Sequence, residues 1–162
     1  MKRIAIFPGS FDPFTKGHLD VVQRGTALFD EIVIAIGNNS NKKRAWEVDD
    51  MVEIIADIFK DQPNIKVQSY KGLTADFANS VGAKFLLRGL RNTTDFEYEN
   101  TIAQANRHVN KELETVFLIT SPHLAAISSS IIREIYSYGG NVDDFIPFRL
   151  SVAPGNNASQ NQ

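Results

Sequence analysis

Five short apolar runs, separated by stretches with helical spacing, constrain the fold of this chain more than any other feature. Ile4-Ala5-Ile6-Phe7 is the first, and Glu31-Ile32-Val33-Ile34-Ala35-Ile36-Gly37 is the second. Both are short and mostly β-branched, the pattern of strands buried on both faces. Ile65-Lys66-Val67-Gln68 alternates as a third strand, Ala83 to Leu87 reads as a fourth and Thr115 to Ile119 as a fifth. Helical spacing fills the intervals. Leu19, Val22, Leu28 and Phe29 fall on or near one face of a first helix. Val48, Met51, Ile54, Ile55, Ile58 and Phe59 do the same between Trp46 and Lys60. Leu73 to Val81, Asp95 to Val109 and Ser128 to Tyr138 predict three more helices. Thr94 or Asp95 is the expected cap of the second of these, and Gly139-Gly140 stops the last. Asp143 to Leu150 predicts a short helical turn, and residues 151–162, rich in Asn, Gln and Ser, predict a disordered tail. Strands and helices that alternate in this way build a mostly parallel sheet covered by helices on both faces. The expectation is one α/β, Rossmann-like domain over residues 1–150 with a five-stranded sheet. A central first strand, with ligands at a topological switch point, follows by analogy and not from periodicity.

In a parallel sheet all strand ends share one edge, and the chemistry-bearing residues gather there. The first strand runs into Phe7-Pro8-Gly9-Ser10-Phe11-Asp12-Pro13-Phe14-Thr15-Lys16-Gly17-His18. This is strand, loop and helix start, with His18 in the helix's first turn, where unpaired N–H groups favour an anion. The helix end also favours a neutral imidazole there. Lys42, Lys43 and Arg44 follow the second strand, and Thr74 follows the third. Arg88 and Arg91 flank the end of the fourth strand, and Ser128-Ser129-Ser130 follow the fifth. Each has a plain alternative: His18 a surface histidine, the lysine run a solvated connector, the arginines structural ion pairs, the serines a helix cap. Their convergence favours a polyphosphate site. The formal net charge of −2 argues against a general nucleic-acid binder, and the absence of cysteine excludes disulfides and thiolate metal sites. No apolar run is long enough to cross a membrane, and a strand beginning at residue 4 leaves no room for a targeting peptide, so the expected location is cytoplasmic.

Gly9-Ser10-Phe11-Asp12-Pro13 followed by Thr15-x-Gly17-His18 resembles the nucleotidyltransferase superfamily that carries a (T/H)xGH motif. Arg88-Gly89-Leu90-Arg91, Asp95-Phe96-Glu97-Tyr98-Glu99 and Ile127-Ser128-Ser129-Ser130, in that order, narrow the likeness. Together these motifs resemble the bacterial phosphopantetheine adenylyltransferases from residue 4 to about residue 148. The resemblance implies transfer of AMP from ATP to 4′-phosphopantetheine, giving dephospho-coenzyme A and pyrophosphate. It implies ATP contacts at Ser10, Phe11, His18, Gly89, Leu90, Arg91 and Glu99, and at Leu124, Ala125, Ala126, Ile127, Ser128, Ser129 and Ser130. Ser10, Lys42, Thr74 and Arg88 would face phosphopantetheine. His18 and Lys42 would stabilise the α-phosphate, and Arg91 and the serine turn would hold the β/γ end. Mg²⁺ is expected with ATP and held by nucleotide and water, because no carboxylate cage is visible. A homohexamer and feedback by coenzyme A are likewise implied by the family. Two positions depart from it. Leu124-Ala125-Ala126 stands where the family often has an aromatic residue, and Ser10 where it often has threonine. The alternatives are a related nucleotidyltransferase with another acceptor, or a non-catalytic nucleotide-binding module.

Overall fold

In the computed structural model, which describes residues 1–39, 41 and 43–150, the apolar runs form one five-stranded sheet. The strands are β1 (Ile4–Gly9), β2 (Glu31–Gly37), β3 (Ile65–Tyr70), β4 (Phe85–Leu90) and β5 (Glu114–Ile119). Their order is β3-β2-β1-β4-β5, and every pairing is parallel. The chain thus winds outward from β1 to β3 and then crosses back to β4. The switch point lies beside the end of β1, where such sheets open a crevice for ligands.

Alternation along β1 sends Ala5 and Phe7 to one face and Ile6 to the other, and each face has its own core. The larger core packs α1 (Lys16–Gly25), α2 (Val48–Ile58) and α5 (Ser129–Ser137) against Ile32, Ile34, Ile36 and Leu87. The smaller packs Ala75 and Ala78 of α3 (Thr74–Ser80) against Ile6, Val33 and Leu86, with α4 (Thr93–Val109) beside α3. The predicted α/β domain with helices on both faces is the observed one.

Four local expectations differ from what forms. The first helix ends at Gly25, so Leu28 lies beyond it and is 41% exposed, while Phe29 is buried and meets Phe85. A Cβ at Gly25 would sit 2.7 Å from Leu87 Cδ2, so helix and sheet approach closely there and a larger residue would have to displace the Leu87 side chain. The fourth strand runs on to Leu90, because β5 pairs with it through Arg88, Gly89 and Leu90. The cap of α4 is Asn92, whose side chain accepts from the Asp95 N–H; Asp95 instead binds Arg91. Residues 143–150 form turns and no helix, with the Phe145 carbonyl accepting from the Lys16 N–H at the start of α1. The predicted tail, residues 151–162, lies outside the described residues.

Candidate active site

Two clefts open at the carboxyl edge of the sheet, one on each side of a shared wall. The larger, about 680 Å³, is lined by Asn38, Tyr70, Thr74, Tyr98, Ile102 and Asn106 among others. The smaller, about 290 Å³, is lined by Phe11, His18, Gly89, Arg91, Thr120 and the stretch Ile127 to Ser130. Pro8, Gly9, Ser10, Arg88 and Glu99 border both. The wall is therefore the end of β1 faced by one ion pair from β4 and α4.

His18 stands at the third position of α1 and completes a capping box with Thr15. Its backbone N–H donates to Thr15 Oγ1 at 3.2 Å, and its Nδ1 accepts from the Thr15 N–H at 3.0 Å. A backbone N–H can only donate, so Nδ1 carries no proton and the neutral ring holds its proton on Nε2. Phe11 meets the ring edge-on at 5.0 Å, and Phe14 and Phe7 pack at 5.5 and 6.0 Å. Burial first, then the charges of Arg88 and Arg91, push its pKa down to about 3. His18 is thus a fixed, neutral hydrogen-bond donor, and it needs no proton change to face a phosphate oxygen.

The arginines are partnered, as the plain alternative allowed. Arg88 donates from Nε to Glu99 Oε2 at 2.7 Å, from Nη2 to Glu99 Oε1, and from Nη1 to the Pro8 carbonyl. Glu99 is buried and faces both clefts through this pair. Arg91 makes a two-armed pair with Asp95, and its Nη1 also donates to the Ile127 carbonyl at 3.4 Å. The Asp95 partnership raises the Arg91 pKa and lowers that of Asp95, first through the side-chain hydrogen bond in each case. Of the cationic run, Arg44 lines the larger cleft, while Lys42 lies outside the described residues.

The serine turn meets both readings at once. Ser128 caps α5 by accepting from the Ile131 N–H, and Ser128, Ser129 and Ser130 line the smaller cleft. Leu124 closes a 3₁₀ turn (Pro122–Leu124), and Leu124, Ala125, Ala126 and Leu90 are not among the residues lining either cleft. Several contributors were not singled out from sequence. Tyr98, Ile102 and Asn106 give α4 a face toward the larger cleft; their spacing of four residues was the available signal. Asp20 accepts from the Ser121 N–H and hydroxyl and from Arg24, tying α1 to the exit of β5. No spacing rule reaches across that many residues. Among the described residues, no three His, Cys, Asp or Glu side chains converge as a metal site.

A cytidylyltransferase-like family pattern matches residues 6–135. A phosphopantetheine adenylyltransferase of Cytophaga hutchinsonii is 59% identical over 150 residues, covering 93% of this chain and all of that protein. One of Bacteroides fragilis is 50% identical over 90% of this chain and 96% of its own. Among solved structures, a bifunctional NMN adenylyltransferase/ADP ribose pyrophosphatase of Francisella tularensis superposes with a TM-score of 0.70 at 14% identity. It covers 90% of this chain and 45% of that one, which is a likeness of fold.

Proposed function

The chain belongs to the cytidylyltransferase-like family and, within it, to the phosphopantetheine adenylyltransferases, and on that premise we propose how its two clefts divide the reaction. The enzyme transfers AMP from ATP to 4′-phosphopantetheine in coenzyme A biosynthesis. In this reading ATP lies in the smaller cleft, with His18, Arg91 and the Ser128 to Ser130 turn. Phosphopantetheine lies in the larger, its apolar arm along Ile102 and its phosphate toward Ser10, Thr74 and Arg88. The observation that supports the reading is the wall that the two clefts share at Ser10 and Arg88, where two ligands lying end to end would meet.

No protein nucleophile is required. A phosphate oxygen of the acceptor attacks the α-phosphorus, forming a P–O–P link as the bond to the β-phosphate oxygen breaks and pyrophosphate leaves. Holding two anions in line and stabilising the spreading charge is work for positioned donors. His18 Nε2–H faces the α-phosphate in this arrangement, and Lys42 shares that task. Arg91, already oriented by Asp95, and the start of α5 address the departing pyrophosphate. Mg²⁺ would enter with the ATP substrate and supply charge neutralisation at the triphosphate.

We further propose a homohexamer acting in the cytoplasm. Exposed Phe96, Tyr98 and Val109 on α4 and Ile119 on β5 supply apolar surface for contacts between copies. Coenzyme A carries both the pantetheine and the adenosine parts of the product, so it would span both clefts as a feedback inhibitor. Pyrophosphate release from ATP, compared between phosphopantetheine and nicotinate mononucleotide, tests the assignment. Turnover with the second acceptor and none with the first would overturn it.

A further inference from the structure

The backbone of the first loop is held by side chains that reach in from elsewhere. Arg44 Nη2 donates to the Ser10 carbonyl at 2.7 Å and to the Phe11 carbonyl at 3.3 Å, while its Nε donates to the Trp46 carbonyl at 2.8 Å. Asp12 answers in the other direction: its buried carboxylate accepts from the Ala45 and Trp46 N–H groups at 3.1 and 2.8 Å. The Asp12 carbonyl accepts from Arg133 and the Pro13 carbonyl from Ser129, so consecutive carbonyls of one loop are each taken up. Between them Phe11 has φ of 43°, the left-handed region that a bulky residue rarely adopts and that persists only where its surroundings impose it. Its ring lies over Gly9, where a Cβ would meet it at 2.9 Å, and stands against His18.

We infer that Arg44 is a positioning residue for the adenylyl transfer, acting through the left-handed Phe11 backbone on the ring that sets His18 and on the loop that presents Ser10. The planar guanidinium explains why this side chain suits the task. Two nitrogens of one planar fork, Nε and Nη2, meet three carbonyls at once, which a lysine ammonium on a flexible stem cannot reproduce. Arg44 also lines the larger cleft, so a direct role in holding the acceptor phosphate is the competing account.

The inference rests on the reaction assigned above, and its test separates the two. Trp46 is the only tryptophan in the chain and shares the Arg44 contact, so its emission reports the loop without any substrate. In Arg44→Met the expected result is a red-shifted Trp46 emission in the ligand-free protein. Turnover should fall at least about tenfold, on the scale of a misplaced reacting group, with KM for ATP and phosphopantetheine changing less than about threefold. Arg44→Lys should fall between wild type and Arg44→Met on both readouts, and it decides the same split should Arg44→Met fail to fold. A raised KM for phosphopantetheine with turnover retained would make Arg44 a substrate ligand and overturn the inference. Unchanged kinetics with only a lower unfolding midpoint, or an unchanged Trp46 emission, would overturn it as well. A wild-type protein that released no pyrophosphate with phosphopantetheine would sink the assigned reaction, while the Trp46 readout would still decide whether Arg44 holds the loop.

Discussion

Thr15 and His18 cap the first turn of α1 with each other, and the same two bonds fix what the imidazole can do. With Nδ1 occupied, only Nε2–H is left to donate, and a single aimed donor acts mainly in the transition state. His18→Ala should therefore lower turnover by about a hundredfold or more while KM for ATP changes little. Because that variant also removes half of the capping box, Thr15→Val is the control. It should cost about 1 kcal/mol of stability, read from denaturant midpoints. The depressed pKa has a stability consequence of definite sign. Between about 3 and 6.5 the unfolded chain binds a proton at His18 that the folded chain refuses. Folding stability should thus rise with pH through that window and gain nothing more from this group above it. His18→Gln should flatten the rise, and equal unfolding midpoints relative to wild type at pH 4.5 and pH 7 would contradict this. The position of His18 was legible, since loop and helix periodicity placed it in the first turn. Its tautomer was not, because that depends on where one backbone N–H points.

At the scale of elements, the sheet and its helices were readable because each strand is a short apolar run and each covering helix shows its own period. Boundaries were less readable where pairing, and not composition, decides them. Arg88-Gly89-Leu90 carries no strand signature, yet β5 draws it into the ladder. Gly89 then lies under α1, where a Cβ would come within 2.9 Å of Val21 Cγ2. Gly89→Ala should destabilise the fold by about 1–3 kcal/mol, the usual cost of overpacking, and a neutral result in thermal unfolding would show that α1 yields easily. The ion pair between β4 and α4 was legible on one side only: a structural pair was an open alternative for Arg88, but Glu99 read as a ligand contact and not as its partner. Removing its charge by Glu99→Gln should cost about 2 kcal/mol. That is less than a fully buried pair would lose, because the Arg88 side chain keeps 24% exposure. Leu124 sits apart from both clefts, so Leu124→Ala should cost at most about 1 kcal/mol in ATP binding and leave the preference over GTP intact. An alanine variant that took GTP as readily as ATP would show that this side chain reads the base.

For the whole molecule, two clefts on one sheet edge suit a bisubstrate enzyme: they share one wall, and the same ion pair borders both clefts. The apolar residues left on α4 and β5 predict self-association, so light scattering should give a mass near six chains, and a monomer at micromolar concentration would contradict the proposed assembly. The acceptor is the ligand that distinguishes the two clefts most sharply. Purified protein with ATP and Mg²⁺ should release pyrophosphate when given 4′-phosphopantetheine, and dephospho-coenzyme A should appear in equal amount. Pantetheine without its phosphate should give no turnover and compete poorly, because the attacking oxygen and the charge facing Arg88 are both gone. Pyrophosphate release that is independent of the acceptor phosphate, or that occurs with nicotinate mononucleotide and not with phosphopantetheine, would contradict the account.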